Sequence, residues 1–227
     1  MAHPYWPLFD LVVRTPRLEL RPPDDETAVE LAAAADPAMF ADGEYHFQVD
    51  WLGPPSPVRE RRSMQFWWAQ RANWSPDNWE LTLAVVVDGS PIGVQGIGAK
   101  SFPLARSFST GSWLTPSAQG RGLGKEMRQA VLHLGFAGLG ATEAHSGAFD
   151  DNRRSIGVSR SVGYEDNGYE ISLRGGRTPG RHINFRMTRE RYEQVCRQDI
   201  VIENLGPCLE LFGLGADLAP LPLPPTG

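Results

Sequence analysis

Alternating and helix-spaced hydrophobic positions divide the first third of the chain into a few elements. The run TPRLELR, residues 15–21, alternates apolar and polar side chains and predicts a first strand. Residues 24–36 begin with two aspartates, continue with an alanine-rich stretch and stop before a proline, which predicts a helix. Residues 40–57 mix glycine, proline and aromatic residues and predict a loop, and residues 58–74 predict a second helix.

The middle of the chain predicts strands followed by a long helix. Strand-like runs cover residues 81–87, 92–99 and 110–114, and the first two flank an Asp-Gly turn, which is typical of a hairpin. A helix is predicted from residue 123 to about 138. Its apolar residues recur at helical spacing on one face: Leu123, Met127, Ala130, Val131 and Leu134.

The last third predicts the same mixture of elements. Further strands are predicted at 141–149, 164–173 and 182–187, and further helices at 152–162 and 189–197. No internal repeat or linker interrupts them, so we predict a single α/β domain over residues 1–198. Residues 199–227 are interpreted as a C-terminal extension whose proline-rich end is disordered.

Composition limits the class of protein rather than its function. Hydrophobic residues make up 41% of the chain and charged residues 22%, with a net charge of −5 and no dense basic run, so we expect no nucleic-acid partner. Cys196 and Cys208 fit no zinc motif, and we expect free thiols and no metal. Neither a secretory leader nor an apolar run of about 20 residues is present, so we expect a cytoplasmic protein with no membrane partner.

The stretch QGRGLGK, residues 119–125, is the strongest chemical signal. A P-loop requires a hydroxyl residue after the lysine, but Glu126 follows Lys125. A dinucleotide fingerprint requires a different glycine spacing after a first strand. Alternating glycines at the start of a helix, with two cations, fit a cradle for a pyrophosphate. The simpler alternatives are a tight turn that binds nothing and a phosphate site of an unrelated α/β protein.

Three segments resemble one family. Gln119-x-x-Gly122-x-Gly124 is similar to the acyl-CoA signature of the GNAT N-acetyltransferase superfamily. TPRLELRPPDDETAVEL and DNRRSIGVSRSVGYEDNG resemble the opening and a later segment of its RimJ/RimL-like branch, and the segments occur in the expected order. The resemblance implies an α/β (α+β) fold with a mixed, mostly antiparallel central sheet flanked by helices. A splayed strand pair in that sheet would hold acyl-CoA.

The resemblance also implies roles for individual residues. It assigns the acyl-CoA contacts to Trp113, Leu114, Thr115, Gln119, Gly120, Arg121, Gly122, Leu123, Gly124, Lys125 and Asn152. Ser155 matches a serine that protonates the departing CoA thiolate. The structural alternatives are that Asn152 only caps a helix and that Ser155 is an ordinary serine in its first turn.

The implied reaction is direct attack of a neutral amine on the thioester. A lysine-like amine has a pKa of about 10.4, so a proton must be removed at neutral pH. His145 is our candidate base, with Glu44, His46 and Glu143 as other candidates. A chain of water molecules would need no single base.

Donor and acceptor remain open at this stage. The donor is acetyl-CoA or succinyl-CoA, and a succinyl group would need a cation, for which Lys100 and Arg106 are candidates. The acceptor is a small-molecule or peptide amine, and a homo-oligomer is compatible with the sequence. The alternative function is a non-catalytic acyl-CoA-binding or regulatory protein of the same fold.

Overall fold

One mixed sheet organises the chain. The computed structural model describes residues 3–36, 39–40 and 45–215. These residues form a nine-stranded sheet of order β7-β8-β6-β5-β4-β3-β2-β1-β9 in which only β5 and β6 run parallel. The strands are β1 (Val12–Arg14), β2 (Glu19–Arg21), β3 (Asn78–Val87), β4 (Ser90–Lys100), β5 (Ser107–Leu114), β6 (Glu143–Phe149), β7 (Glu165–Arg174), β8 (Thr178–Thr188) and β9 (Val201–Glu203).

Helices cover both faces of this sheet. They are α1 (Asp25–Ala34), α2 (Val58–Ala72), α3 (Phe102–Ala105), α4 (Leu123–His133), α5 (Arg153–Ser161) and α6 (Arg189–Val195). The last turns of the long helix, Leu134–Gly138, are π-helical. Alternation along β3 separates two cores: Ala84 and Val86 pack with α1 and α2, whereas Leu83 and Val85 pack with α4. The mixed, mostly antiparallel sheet flanked by helices confirms the predicted fold class.

Two segments differ from the sequence-based expectation. The predicted strand 15–21 is a turn followed by a short strand, because the N–H of Thr15 donates to the carbonyl of Leu18 at 2.9 Å. Beyond residue 198, β9 pairs with β1, and Phe212 is fully buried in the main core. The segment 199–215 is therefore part of the same sheet and core, while the proline-rich end lies outside the described residues.

The parallel strands β5 and β6 separate along their length. They pair only where residues 107–109 lie beside residues 143–145. β5 continues to Leu114 and stays paired with β4 over residues 109–114, whereas β6 continues to Phe149 beside β8. A V-shaped gap therefore opens between the carboxyl ends of β5 and β6, and we call it the splay.

Candidate active site

The glycine turn at the open end of the splay presents a row of free backbone donors. Gly120 and Gly122 adopt φ angles of 74° and 78°, which favour glycine, and α4 begins with no side-chain cap. Within the described part of the chain, none of the backbone N–H groups of residues 120–125 donates to an acceptor. Such convergent donors at the positive end of a helix form an anion site, and we call residues 119–125 the nest.

Cations surround the nest. Arg121 and Lys125 are exposed, and neither pairs with a carboxylate among the described residues. Arg154 in α5 donates to Oε1 of Gln119 at 2.5 Å. Gln119 also donates through Nε2 to the carbonyl of Leu114 at 3.0 Å. The nest, the end of β5 and the start of α5 are thereby linked into one site.

An ion pair between the exposed Arg17 and the buried Glu126 fixes the back of the nest. Glu126 is 3% exposed, and its carboxylate accepts from Nε of Arg17 and from the hydroxyl of Thr15, both at 2.6 Å. Arg17 also donates to the carbonyl of Arg121 at 3.1 Å. Burial raises the pKa of Glu126, but the hydrogen bonds from Thr15 and Arg17 outweigh it and leave the pKa below its usual value. Neither Arg17 nor Glu126 was predicted to support the site, although Arg17 lies in the TPRLELR run.

The end of β5 turns alternate backbone groups towards the splay. The N–H of Thr115 donates to the carbonyl of Ile92 at 2.9 Å, so the backbone of Thr115 and Trp113 is directed towards β4. Antiparallel pairing alternates from residue to residue, so the N–H groups of Ser112 and Leu114 point into the gap. These two groups can donate to an acyl carbonyl or an amide arm lying in the splay.

The start of α5 forms the opposite wall of the site. Oδ1 of Asn152 accepts from the N–H of Ser155 at 3.1 Å, so Asn152 is the helix cap. The hydroxyl of Ser155 makes no hydrogen bond within the described chain and is available to a ligand. An added Cβ at Gly124 would lie 3.8 Å from Val158, so α4 and α5 approach each other closely beside the nest.

His145 lies at the closed end of the splay, apart from the nest. It is the last residue of β6 that pairs with β5, and its Nε2 lies 2.8 Å from Oε1 of Glu143. Arg186 binds the same carboxylate at 2.5 Å and is the main reason that the pKa of Glu143 is lowered. Of the other candidate bases, His46 lies 3.4 Å from a carboxylate oxygen of Asp151, and Glu44 falls outside the described residues.

A buried arginine that was not predicted from the sequence occupies the closed end of the splay. Arg128 in α4 is 3% exposed and donates to the hydroxyl of Ser146 on β6 at 2.8 Å and to that of Ser112 on β5 at 3.0 Å. Its Nε has no partner. Nothing in the sequence marks this residue, because it does not follow the apolar spacing that identified the core face.

Aromatic side chains form a wall on the other face of β5. Trp113 lies 5.8 Å from Trp51, which in turn lies 5.2 Å from Phe47, measured between ring centroids. Phe47 lies 5.4 Å from Phe40. All four side chains are half-buried, so they leave apolar surface beside the open end of the splay.

The cations proposed for a succinyl group lie at the wrong end of β5 for the nest. Lys100 ends β4, and Arg106 immediately precedes β5. From Ser107 to Trp113, at about 3.3 Å per residue, the strand spans roughly 20 Å. Neither cation is therefore near residues 113–125.

Over the described ranges 3–36, 39–40 and 45–215, no group of three or more His, Cys, Asp or Glu side chains could hold a metal ion. No helix in these ranges is both long and apolar enough to cross a bilayer.

The known proteins that this chain resembles are acetyltransferases. The family model described as "Acetyltransferase (GNAT) domain" matches residues 17–165. Among solved structures, RimJ from Mycobacterium smegmatis in complex with CoA-disulfide is 20% identical, with a TM-score of 0.67, covering 82% of this chain and 94% of that one. RimL, a ribosomal L7/L12 alpha-N-protein acetyltransferase in complex with coenzyme A, is 16% identical, with a TM-score of 0.62 and coverage of 78% and 97%. A GNAT-family acetyltransferase from Bacillus anthracis is 17% identical, with a TM-score of 0.59 and coverage of 79% and 99%.

Proposed function

We propose, from the premise that this chain belongs to the GNAT acetyltransferase family, that it transfers an acyl group from acyl-CoA to a primary amine bound at the splay. The family assignment makes the chain an N-acetyltransferase enzyme with acyl-CoA as co-substrate. The observation that carries the site assignment is the row of free N–H groups at residues 120–125. A pyrophosphate would accept from these donors, with Arg121 and Lys125 beside it.

The residues around the splay suit the rest of such a donor. A pantetheine arm leaving the nest would run along β5 from Leu114 inwards, past the start of α5, and the missing side chain at Gly124 would let it come close to α4. The N–H groups directed into the gap from β5 would hold the amide arm and polarise the thioester carbonyl. Asn152 would cap α5 and contact the same arm, because its amide nitrogen is not used by the cap.

The chemistry requires one nitrogen–carbon bond to form and one carbon–sulfur bond to break. The amine nitrogen attacks the thioester carbonyl carbon, and the sulfur leaves with the electron pair of the broken bond. We assign the excess proton of the attacking amine to the imidazole of His145, directly or through water. The free hydroxyl of Ser155 would deliver a proton to the sulfur and take one back from water, while the imidazolium of His145 returns its proton to water.

The donor is acetyl-CoA or succinyl-CoA. The thioester carbonyl would lie by the N–H groups of Ser112 and Leu114. Lys100 and Arg106 lie at the other end of β5, roughly 16 Å or more from Ser112 along the strand, so they do not favour the succinyl donor. Acetyl-CoA is the simpler expectation, since an acetyl group requires no additional cation.

The acceptor is an amine of a peptide or of a small molecule, and we expect the reaction to take place in the cytoplasm. The RimJ and RimL neighbours favour a peptide N-terminus. An α-amino group, with a pKa of about 7.7–8.0, is partly neutral at pH 7, so it needs only weak base catalysis. The aromatic wall at Trp51 and Trp113 would contact an apolar first side chain of such a peptide.

Calorimetry with acetyl-CoA and succinyl-CoA tests the donor site. Gly124→Glu places a carboxylate and added bulk in the nest and should abolish binding, because its backbone φ permits a side chain while the new charge repels the pyrophosphate. Gly206→Glu makes the same charge change near β9, where an added Cβ meets nothing within 4 Å, and should leave affinity unchanged. If the parent protein binds neither thioester, the proposed function is wrong.

Turnover then separates the enzyme from a binding protein. Release of free CoA thiol should be measured with a panel of peptides and small amines. Acceleration by a peptide amine, lost in Gly124→Glu and retained in Gly206→Glu, would support the proposal. Tight thioester binding with thiol release at the background rate for every amine would favour the non-catalytic alternative.

A further inference from the structure

The guanidinium of Arg128 is a buried positive charge without a negative partner. Burial lowers the pKa of Arg128, but an arginine remains charged at neutral pH. The groups that surround it are neutral, namely the hydroxyls of Ser112 and Ser146 and the phenol of Tyr164, and no carboxylate of the described chain lies within ion-pair distance of it. A charge held in this way is costly, because taking an ion out of water is only repaid by a counter-ion or a full set of hydrogen bonds.

The position of this charge points to a ligand. Gly124 and Arg128 are four residues apart and therefore lie on the same face of α4, about 6 Å apart along the axis. Gly124 faces Leu114, and Arg128 faces Ser112, so the helix face follows β5 from the open end of the splay inwards. A ligand that enters at the nest and extends into the gap meets Arg128 at its deepest point.

Unpaired polar atoms gather at the same place. Nε of Arg128 has no partner, and neither has Oε1 of Gln95, a residue with no exposed surface that pairs with Ser112 across β4 and β5. The closed end of the splay is therefore polar, although it is buried. An anionic atom would pair with the guanidinium, whereas Oε1 of Gln95 is an acceptor and would take a donor such as an amide N–H of the ligand. An acetyl methyl group would satisfy neither.

We infer that Arg128 stabilises the CoA thiolate formed when the carbon–sulfur bond breaks. This inference rests on the proposed function. The leaving sulfur takes the electron pair of the broken bond and becomes an anion beside the guanidinium. Its later protonation by Ser155 or by water completes the balance. Arg128 thus lowers the barrier for loss of the thiolate and has a counter-ion in the product complex.

Few other charges face this position. β5 and β6 contribute the hydroxyls of Ser112 and Ser146 next to the guanidinium. The segment between α5 and β7 contributes the phenol of Tyr164. Burial raises the pKa of Tyr164, so this phenol is neutral at physiological pH. His145 follows the opposite side-chain alternation on β6 and pairs with Glu143. Arg128 is therefore the charge that sets the electrostatic potential for the sulfur.

Ultraviolet titration of the bound thiol tests the inference directly. The thiolate absorbance of the CoA complex is followed against pH, and the complex with desulfo-CoA, which lacks the thiol, is subtracted so that Cys196 and the tyrosines cancel. The parent protein should bind CoA with its thiol pKa lowered by at least about one unit, a tenfold gain in the ratio of thiolate to thiol. Arg128→Met should return the pKa to that of free CoA, and Arg128→Lys should keep most of the shift.

The melting temperature of Arg128→Met and its turnover with each thioester separate a role in the reaction from a structural role and from recognition of the acyl group. Arg128→Met is close in volume and removes an unpaired charge, so its melting temperature should match or exceed that of the parent protein. Exposed Arg62→Met serves as the matched control and should leave the thiol pKa unchanged.

If Arg128→Met binds CoA with the same thiol pKa as the parent protein, the inference fails and the donor site stands. If Arg128→Met loses turnover with succinyl-CoA alone, the arginine recognises the acyl group and the inference fails as well. If the parent protein binds no CoA, both proposals fail.

Discussion

At the scale of single residues, the nest depends on a side chain that is buried behind it. Glu126 is held by Thr15 and Arg17, and Arg17 in turn holds the carbonyl of Arg121. Glu126→Gln keeps the shape but removes the charge, so we expect a loss of about 1–3 kcal/mol in the free energy of unfolding at pH 7. The affinity for acyl-CoA should fall as well, because the turn loses its support.

The pH dependence of this loss has a definite sign. The folded-state pKa of Glu126 lies below its ordinary value of 4.5, so the stabilisation is present above pH 4.5 and disappears as the pH falls through the folded value. Urea unfolding of both proteins should therefore converge below pH 4.5. The exposed Glu30→Gln in α1 is the control and should follow the parent protein at every pH. A gap that stays constant down to strongly acidic pH would rule out an ionised Glu126 as its cause.

Asn152 has two roles that can be separated by substitution. Asn152→Ala removes the cap of α5 and should cost about 1 kcal/mol in unfolding free energy. Asn152→Asp keeps the capping oxygen but replaces the amide donor by a negative charge. We expect normal stability with a KM for acyl-CoA raised severalfold. An unchanged KM in Asn152→Asp would limit this residue to the cap.

The sequence indicated the glycine turn of the nest more clearly than the charged residues that pack behind it. Glycines with positive φ and flanking cations can be recognised in the sequence, because few other residues suit that backbone. Glu126 and Arg128 gave no such signal, since a charged residue in a helix usually faces water. Their burial depends on how α4 packs against β1, β5 and β6, which is a property of the tertiary fold.

At the scale of elements, the contact between α4 and β5 depends on one small residue. An added Cβ at Gly135 would lie 2.3 Å from Cζ of Phe108. Gly135→Ala should therefore push the π-helical end of the long helix away from β5 and cost about 1–3 kcal/mol, measured by urea unfolding. Gly157→Ala in α5, where nothing lies within 4 Å, is the matched control and should stabilise by up to about 1 kcal/mol. Equal effects at the two sites would contradict a packing role for Gly135.

Element types could be predicted from the sequence, and their ends less well. The long helix and the hairpin of β3 and β4 have strong periodic patterns, and both were predicted. The turn at Thr15 was missed because the run around it alternates like a strand, although hydrogen bonds to Leu18 close it. The strand β9 was missed because Val201–Glu203 is short, and its pairing with β1 joins residues far apart in the sequence.

At the scale of the whole molecule, an acidic chain must bind a polyanion. The net charge is −5, while Arg121 and Lys125 are exposed beside the nest. Local attraction therefore has to exceed a weak general repulsion, and both are screened by salt over a Debye length of about 10 Å at 0.1 M. The KM for acetyl-CoA should rise with ionic strength.

Replacing the two cations should change the slope as well as the value of this dependence. In the double variant Arg121→Gln and Lys125→Gln, the KM should be severalfold higher at low salt and should depend less steeply on salt, because fewer charges remain to be screened. Arg62→Gln on the exposed side of α2 changes the net charge without changing the nest, and it should keep the steep dependence. Parallel slopes for the double variant and the parent protein would mean that these cations do not face the bound phosphates. The backbone donors of residues 120–125 would then hold the pyrophosphate without them.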